Sequence, residues 1–206
     1  RLLRRYPSAA AFARRLRGRR IIDLRRRGKY LLFVLDSGEV LIVHLGMSGR
    51  LFLSRPSDAP PAHLRAVFRL RTGGALAYTD PRKFGEFYLF SAARKETAVN
   101  PFLLGPEPLG KDFPAGRLRG ALDGRRAPLK AVLLDQKAVA GLGNIYSDEA
   151  LFRARLDPRR RADRVRAGEI RALHRAIRAV LSEAIRARGT TAEAGGSRDG
   201  VDRAGS

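Results

Sequence analysis

The chain has 206 residues, no cysteine, and 42 Lys plus Arg against 20 Asp plus Glu, a formal net charge of +22. Its 44% hydrophobic content supports a packed core; wholesale disorder is excluded, as are a disulfide scaffold, a thiolate zinc site and a cysteine nucleophile within these residues. A surface this basic attracts polyanions, nucleic acid above all, while no apolar run approaches the ~18 residues of a membrane span and no signal peptide opens the chain.

Residues 1–27 read as helical and then basic, with Phe12 and Leu16 four apart on one face. From Tyr30 the pattern changes to strands. Residues 30–35 and 40–45 are apolar and flank the turn Asp36-Ser37-Gly38-Glu39, which predicts a hairpin with a buried face. Gly46-Met47-Ser48-Gly49 interrupts the run and residues 51–53 resume it. After a polar loop at 54–61, Leu64, Ala66, Phe68 and Leu70 alternate with Arg65, Val67, Arg69 and Arg71, as in a half-exposed strand. Gly73-Gly74 leads into residues 75–79, and 84–90 form another strand. At least five strands without intervening helices predict an antiparallel sandwich or barrel.

The second half differs. Gly105, Pro106 and Pro108 mark a connector within residues 91–110. Pro128 suits a first helical position and Gly141 a helix end, with Leu129, Val132, Leu133 and Gln136 at helical spacing between them. Asn144 is the expected N-cap of a helix over 145–154, which Asp157-Pro158 closes. Ile170, Leu173, Ile177, Val180 or Leu181, and Ala184 or Ile185 form a long amphipathic stripe ended by Gly189. The class predicted is α+β, a β domain over 1–105 and a helical domain over 106–191, with a disordered tail at 192–206.

Only six of the basic residues are Lys (Lys29, Lys83, Lys95, Lys111, Lys130 and Lys137), so each Arg carries little information by itself. A lysine amine, unlike arginine, can exchange a proton. The glycine turn before Asn144 frees backbone amides beside a helix N-terminus, which suits a phosphate, with Lys130 and Arg125 nearby; on spacing alone a plain capped turn is the simpler reading. Met47, the single methionine, sits between glycines and is either a wedge between bases or a core residue. In Thr79-Asp80-Pro81-Arg82-Lys83-Phe84-Gly85, Arg82 can reach a base edge and Phe84 can stack beneath it, or Phe84 can return to the core. His44, in an apolar strand, reads as structural, and three histidines without metal spacing give no ligand set.

Five stretches, Gly28-Lys29-Tyr30-Leu31-Leu32, His44-Leu45-Gly46-Met47-Ser48-Gly49, Tyr78 to Gly85, Leu104-Gly105-Pro106-Glu107-Pro108-Leu109 and Gly141-Leu142-Gly143-Asn144-Ile145-Tyr146, together resemble the formamidopyrimidine-DNA glycosylase family. They stand in the family's order at family-like intervals. The resemblance implies a β-sandwich followed by a helix–two-turn–helix domain, with DNA in the cleft between them. The implied activity excises oxidised purines (8-oxoguanine and formamidopyrimidines) through a proline imine and cuts the abasic strand by β,δ-elimination. Met47, Arg82 and Phe84 match the residues that fill the gap left by the everted base. Lys29 matches the proton donor of the elimination step; His63, Arg82 and Arg125 match DNA-binding positions, and Lys130 and Asn144 phosphate contacts. The implied partner is double-stranded DNA carrying an oxidised purine or an abasic site. A monomer without membrane attachment, in the cytoplasm beside the nucleoid, is expected.

Two departures set further expectations. The family nucleophile is an N-terminal proline followed by glutamate, whereas this chain opens on Arg1; the family also ends in a four-cysteine zinc finger. The chain is therefore expected to be a segment lacking the catalytic start and the zinc finger, inactive alone and without a cofactor of its own, cut from a parent that binds one zinc. The alternatives are a non-catalytic binder of damaged DNA and the related glycosylase for oxidised pyrimidines. A generic basic RNA-binding protein explains the charge but not the five ordered motifs.

Overall fold

The computed structural model describes residues 2–3, 8–90 and 102–187. These form two compact units: one runs to Glu107 and also takes in Asp135–Gly141, and the other comprises Pro108–Leu134 and the residues from Leu142 onward. Most of the predicted connector, at 91–101, lies outside the described residues, as do Gly189 and the tail at 192–206.

The first unit opens with helix α1, Ala9–Leu16, whose N-cap Ser8 accepts a hydrogen bond from the Ala11 amide at 3.1 Å. Phe12 is its one buried side chain. Gly18, at φ +73°, turns the chain into strand β1, Ile21–Arg27. Here the helical reading of residues 1–27 is corrected. Most side chains of β1 are exposed, so no apolar alternation marks it; its backbone pairs antiparallel with β2, Tyr30–Leu35.

The hairpin continues through Gly38, at φ +77°, into β3, Val40–His44. Strands β4, Arg50–Ser54, β5, Leu64–Arg69, β6, Ala75–Thr79, and β7, Glu86–Phe90, follow. All pairings are antiparallel, in two sheets ordered β1-β2-β3-β7 and β4-β6-β5. The core lies between them: Phe33, Leu41, Val43, Phe87 and Leu89 of one sheet meet Tyr78 of the other, and Phe12 closes the cluster. The Phe87 ring lies 5.0 Å from that of Tyr78 and 5.7 Å from that of Phe68. On the other face of the first sheet, Leu32, Val40, Ile42 and Tyr88 are covered by Phe102, which stacks on Tyr30 at 4.1 Å. The expected sandwich is the structure found.

The second unit holds α2, Ala115–Leu122, α3, Leu129–Leu134, α4, Asn144–Arg153, a 3-10 turn, Ala162–Arg164, and α5, Ala167–Arg186. Leu118, Leu122, Leu129, Leu133, Leu151, Leu173 and Ile177 are fully buried and form its core. The stripe expected on α5 supplies Ile170, Leu173, Ile177 and Val180 to the interior, whereas Ile185 is exposed.

Two sequence expectations shift here. The helix from Pro128 stops at Leu134 rather than running toward Gly141, and residues 135–140 make a further turn. The α4 helix starts at Asn144 with Gly143 at the cap position, so Asn144 is the first helical residue and not the N-cap. The spacing could not reveal the first shift, because Gln136 spends its side chain on the Gly141 amide at 2.9 Å rather than on a helix face.

Ser147, on α4, has a hydroxyl that is fully buried and makes no hydrogen bond. A buried hydroxyl without a partner costs stability. Ser147→Ala should therefore be neutral or stabilising by up to about 1 kcal/mol, read as an unchanged or raised midpoint in urea unfolding. A clear loss of stability would show that the hydroxyl has a partner after all.

Candidate nucleic-acid interface

The sharpest local construction in the first unit is a pair of loops joined through one carboxylate. Asp80 leaves the end of β6 with no exposure to solvent. Its Oδ1 accepts from Ser48 Oγ at 2.6 Å and the Arg82 amide at 3.2 Å; its Oδ2 accepts from the Gly85 amide at 2.9 Å and Tyr78 OH at 3.1 Å. Burial would raise the Asp80 pKa, but the hydrogen bonds from Ser48, Gly85, Tyr78 and the Phe84 backbone outweigh it and hold the group at about 2. The single Tyr78 hydroxyl proton lies between two acceptors, Asp80 and the Leu45 carbonyl at 2.9 Å, and the tyrosine is pushed far up by burial and by Asp80. The Gly46–Gly49 loop and the Asp80–Gly85 loop are thus fixed to one another.

Two glycines make that approach possible. A Cβ on Gly85 would sit 1.7 Å from Tyr78 OH, and one on Gly49 would sit 2.0 Å from the Leu45 carbonyl oxygen.

At the tips of these locked loops stand apolar side chains that the core does not use. Met47 is 70% exposed and Phe84 is 45% exposed, so neither fills the interior. The Arg82 guanidinium lies over the Phe84 ring, 5.3 Å from its centroid. His63 sits in the left-handed region at φ +58°, and its carbonyl accepts from the Asp80 amide at 3.0 Å. The fold therefore brings His63, Arg82, Phe84 and the Met47 loop to the same corner.

Lys29 lies elsewhere in this unit, on the turn between β1 and β2. Glu107 fixes that turn: it accepts from the Gly28 amide at 2.5 Å, from Arg27 at 2.8 Å and from Arg26 at 2.9 Å. Burial raises the Glu107 pKa, but these three donors bring it below the ordinary glutamate range. Gly105 and Pro106 pair with the 136–140 turn, through the Gly105 amide to the Gln136 carbonyl at 2.8 Å and the Ala140 amide to the Pro106 carbonyl at 3.0 Å. Lys29 reaches solvent, yet partial burial lowers its pKa below the lysine range. Burial also lowers that of His44, against Glu86, which raises it, and with Lys29, which lowers it.

The second unit carries the other three residues. Lys130, on α3, is paired with Asp148 of α4 at 2.8 Å. Asn144 is exposed at the start of α4. Arg125 is exposed on the segment before α3, and its carbonyl accepts from the Asp163 amide at 3.0 Å.

Sequence reasoning missed Asp80, Ser48, Tyr78, Glu107 and Asp148 as organising residues. Asp80 could have been flagged, since an acid between an apolar strand and Pro81 is an unusual neighbour for a wedge. The others carry no local signal.

Among the described residues no group of three or more His, Asp or Glu is placed to hold a metal. The residues present thus do not fit the zinc expected of the parent, whose finger needs cysteines that this chain lacks. No helix among them is long and apolar enough to cross a membrane.

A β-sandwich with exposed apolar side chains on locked loops, and a helical unit in which two turns separate α3 from α4, define the helix–two-turn–helix class of proteins. The family models agree: the formamidopyrimidine-DNA glycosylase N-terminal domain matches residues 1–87, and the formamidopyrimidine-DNA glycosylase H2TH domain matches residues 104–194. The formamidopyrimidine-DNA glycosylase of Roseobacter denitrificans is 45% identical over 195 residues, covering 91% of this chain and 69% of that protein. A complex of Lactococcus lactis Fpg with DNA containing an abasic site superposes with a TM-score of 0.82 at 33% identity, over 89% of this chain and 67% of that one. A second Lactococcus lactis complex, with DNA containing FAPY-dG, gives 0.81 at 34% identity, over 88% and 68%. The chain belongs to the formamidopyrimidine-DNA glycosylase family and spans about two thirds of the length of these relatives.

This corrects one expectation. The sequence reads as a segment lacking the catalytic start and the zinc finger and inactive alone. The match of the N-terminal domain model over residues 1–87, alongside the H2TH match, shows both family domains present.

Proposed function

We propose that the protein is a base-excision repair glycosylase and abasic-site lyase that acts on oxidised purines in double-stranded DNA. The observation that carries the reading is the exposure of Met47 and Phe84 on two loops locked together by a buried carboxylate. Exposed apolar side chains on rigid loops suit insertion into a base stack, which an everted lesion requires. Arg82, stacked on Phe84, faces the base left without a partner. The FAPY-dG in the related Lactococcus lactis complex favours a purine lesion over a pyrimidine one.

In this reading Lys29 donates a proton during β-elimination, and the partial burial that lowers its pKa makes that proton easier to give up. His63 and Arg125 contact the DNA backbone, and Lys130 and Asn144 hold phosphates. The division into a β domain over 1–105 and a helix–two-turn–helix domain over 106–191 belongs to the same proposal. So do a monomeric state and a place in the cytoplasm with the nucleoid.

The test is binding to two duplexes, one with an abasic site and one intact. Phe84→Ala and Met47→Ala should each weaken abasic-site binding by about tenfold, the scale of one lost stacking contact. Intact-duplex binding should change less than about twofold, because phosphate contacts dominate it. Equal losses on both duplexes would remove the wedge assignment.

A further inference from the structure

The phosphate-contact reading of Lys130 leaves its carboxylate partner unexplained. Asp148 meets the Lys130 ammonium through both oxygens, Oδ1 at 2.8 Å and Oδ2 at 2.9 Å. Asp148 follows Asn144 by four residues on α4, so the two share one helix face with their Cβ atoms about 6 Å apart. The Lys130 ammonium is therefore drawn to the face that carries Asn144, where an anion of the protein itself holds it.

Helix electrostatics do not explain that anion. Asp148 is the fifth residue of α4, and the favourable field for a carboxylate fades within the first turn. Nor is the pair a buried structural bridge, since the Asp148 side chain is 49% exposed. The Lys130 side chain keeps 27% exposure, a solvent-reached pair exchanges partners at little cost, and a lysine stem is long enough to swing.

We propose that Asp148 is an internal stand-in for a DNA phosphate. It keeps Lys130 in place when no DNA is bound and competes with the backbone phosphate for it, which weakens binding and speeds release. The inference rests on Lys130 being a phosphate contact.

The test uses the whole chain and an abasic-site duplex over a series of salt concentrations. The proteins are the wild type, Lys130→Ala, Asp148→Asn, the double variant, and Glu149→Gln as a charge-matched control. Asp148→Asn should bind about two- to fivefold more tightly at low salt, the range of an exposed ion pair. Lys130→Ala should cost a larger factor in the Asp148→Asn background than in the wild type, because the lysine no longer leaves one partner for another. An equal or smaller cost in that background would overturn the competition, as would Glu149→Gln tightening binding as much as Asp148→Asn. Lys130→Ala should also lower the slope of log affinity against log salt by about 0.9. No change of affinity or slope in either background would overturn the phosphate-contact reading itself, and the inference with it.

Discussion

Asp80→Asn should lower the stability of the protein by about 2–4 kcal/mol, well above the cost of an ordinary surface change. The carboxylate has no exposure and accepts from four donors on three segments. An Asn side chain keeps the shape but turns one acceptor oxygen into a donor. Either Ser48 and the Arg82 amide, or Tyr78 and the Gly85 amide, then faces an N–H group. Urea unfolding near neutral pH measures the loss.

The pH dependence gives a sharper reading. The folded-state pKa of Asp80 is about 2, below its ordinary value of 3.8. A depressed carboxylate contributes stability above the unfolded pKa and loses it as pH falls through the folded one. Its share is roughly 2 kcal/mol, fully present above about pH 5 and fading toward pH 2. The gap between wild type and Asp80→Asn should therefore narrow as the pH is lowered over that window. A constant gap would assign the whole effect to packing. Abasic-site binding should weaken in step with the wedge variants, since Met47 and Phe84 lose their common anchor.

Glu107→Ala should cost about 1–3 kcal/mol, the range for a half-buried carboxylate with charged partners once solvent screening is allowed for. The Gly28 amide, Arg26 and Arg27 would lose their shared acceptor. The larger consequence falls on Lys29, which follows Gly28 on the turn that Glu107 fixes. On the role proposed for Lys29, cleavage of a preformed abasic site should slow at least about tenfold, the scale of a displaced acid–base group, with little change in duplex affinity. Glu107→Gln keeps an acceptor for the Gly28 amide and should recover part of the rate. If affinity and cleavage fell together, Glu107 would be a general structural residue rather than one that positions Lys29.

The hairpin of β2 and β3 was legible because both strands are apolar runs around a turn with Gly38, and local patterning suffices for that. The stripe on α5 was legible for the same reason, since a long amphipathic helix writes its period into the chain. β1 was not legible. Its side chains face solvent, and what makes it a strand is backbone pairing with β2, which leaves no trace in composition. The same holds for the start of α4, where one residue separates a cap from a first helical position and only backbone geometry decides between them.

Of the candidate site, the sequence alone determined the residue types that make the chemistry possible: the cations, the lone methionine between glycines, the arginine and aromatic after Asp80-Pro81, and the glycine turn before Asn144. Their order and intervals sufficed to place the chain in its family. Whether Met47 and Phe84 point outward or fill the core was decided by tertiary structure, because either outcome satisfies the same local pattern. The deciding contacts join residues far apart in the chain: Ser48 with Asp80, Glu107 with Gly28, and Lys130 with Asp148. Asp80 finds three of its donors, Tyr78, Arg82 and Gly85, within five residues, but only folding brings Ser48 to it and, with Ser48, the second loop.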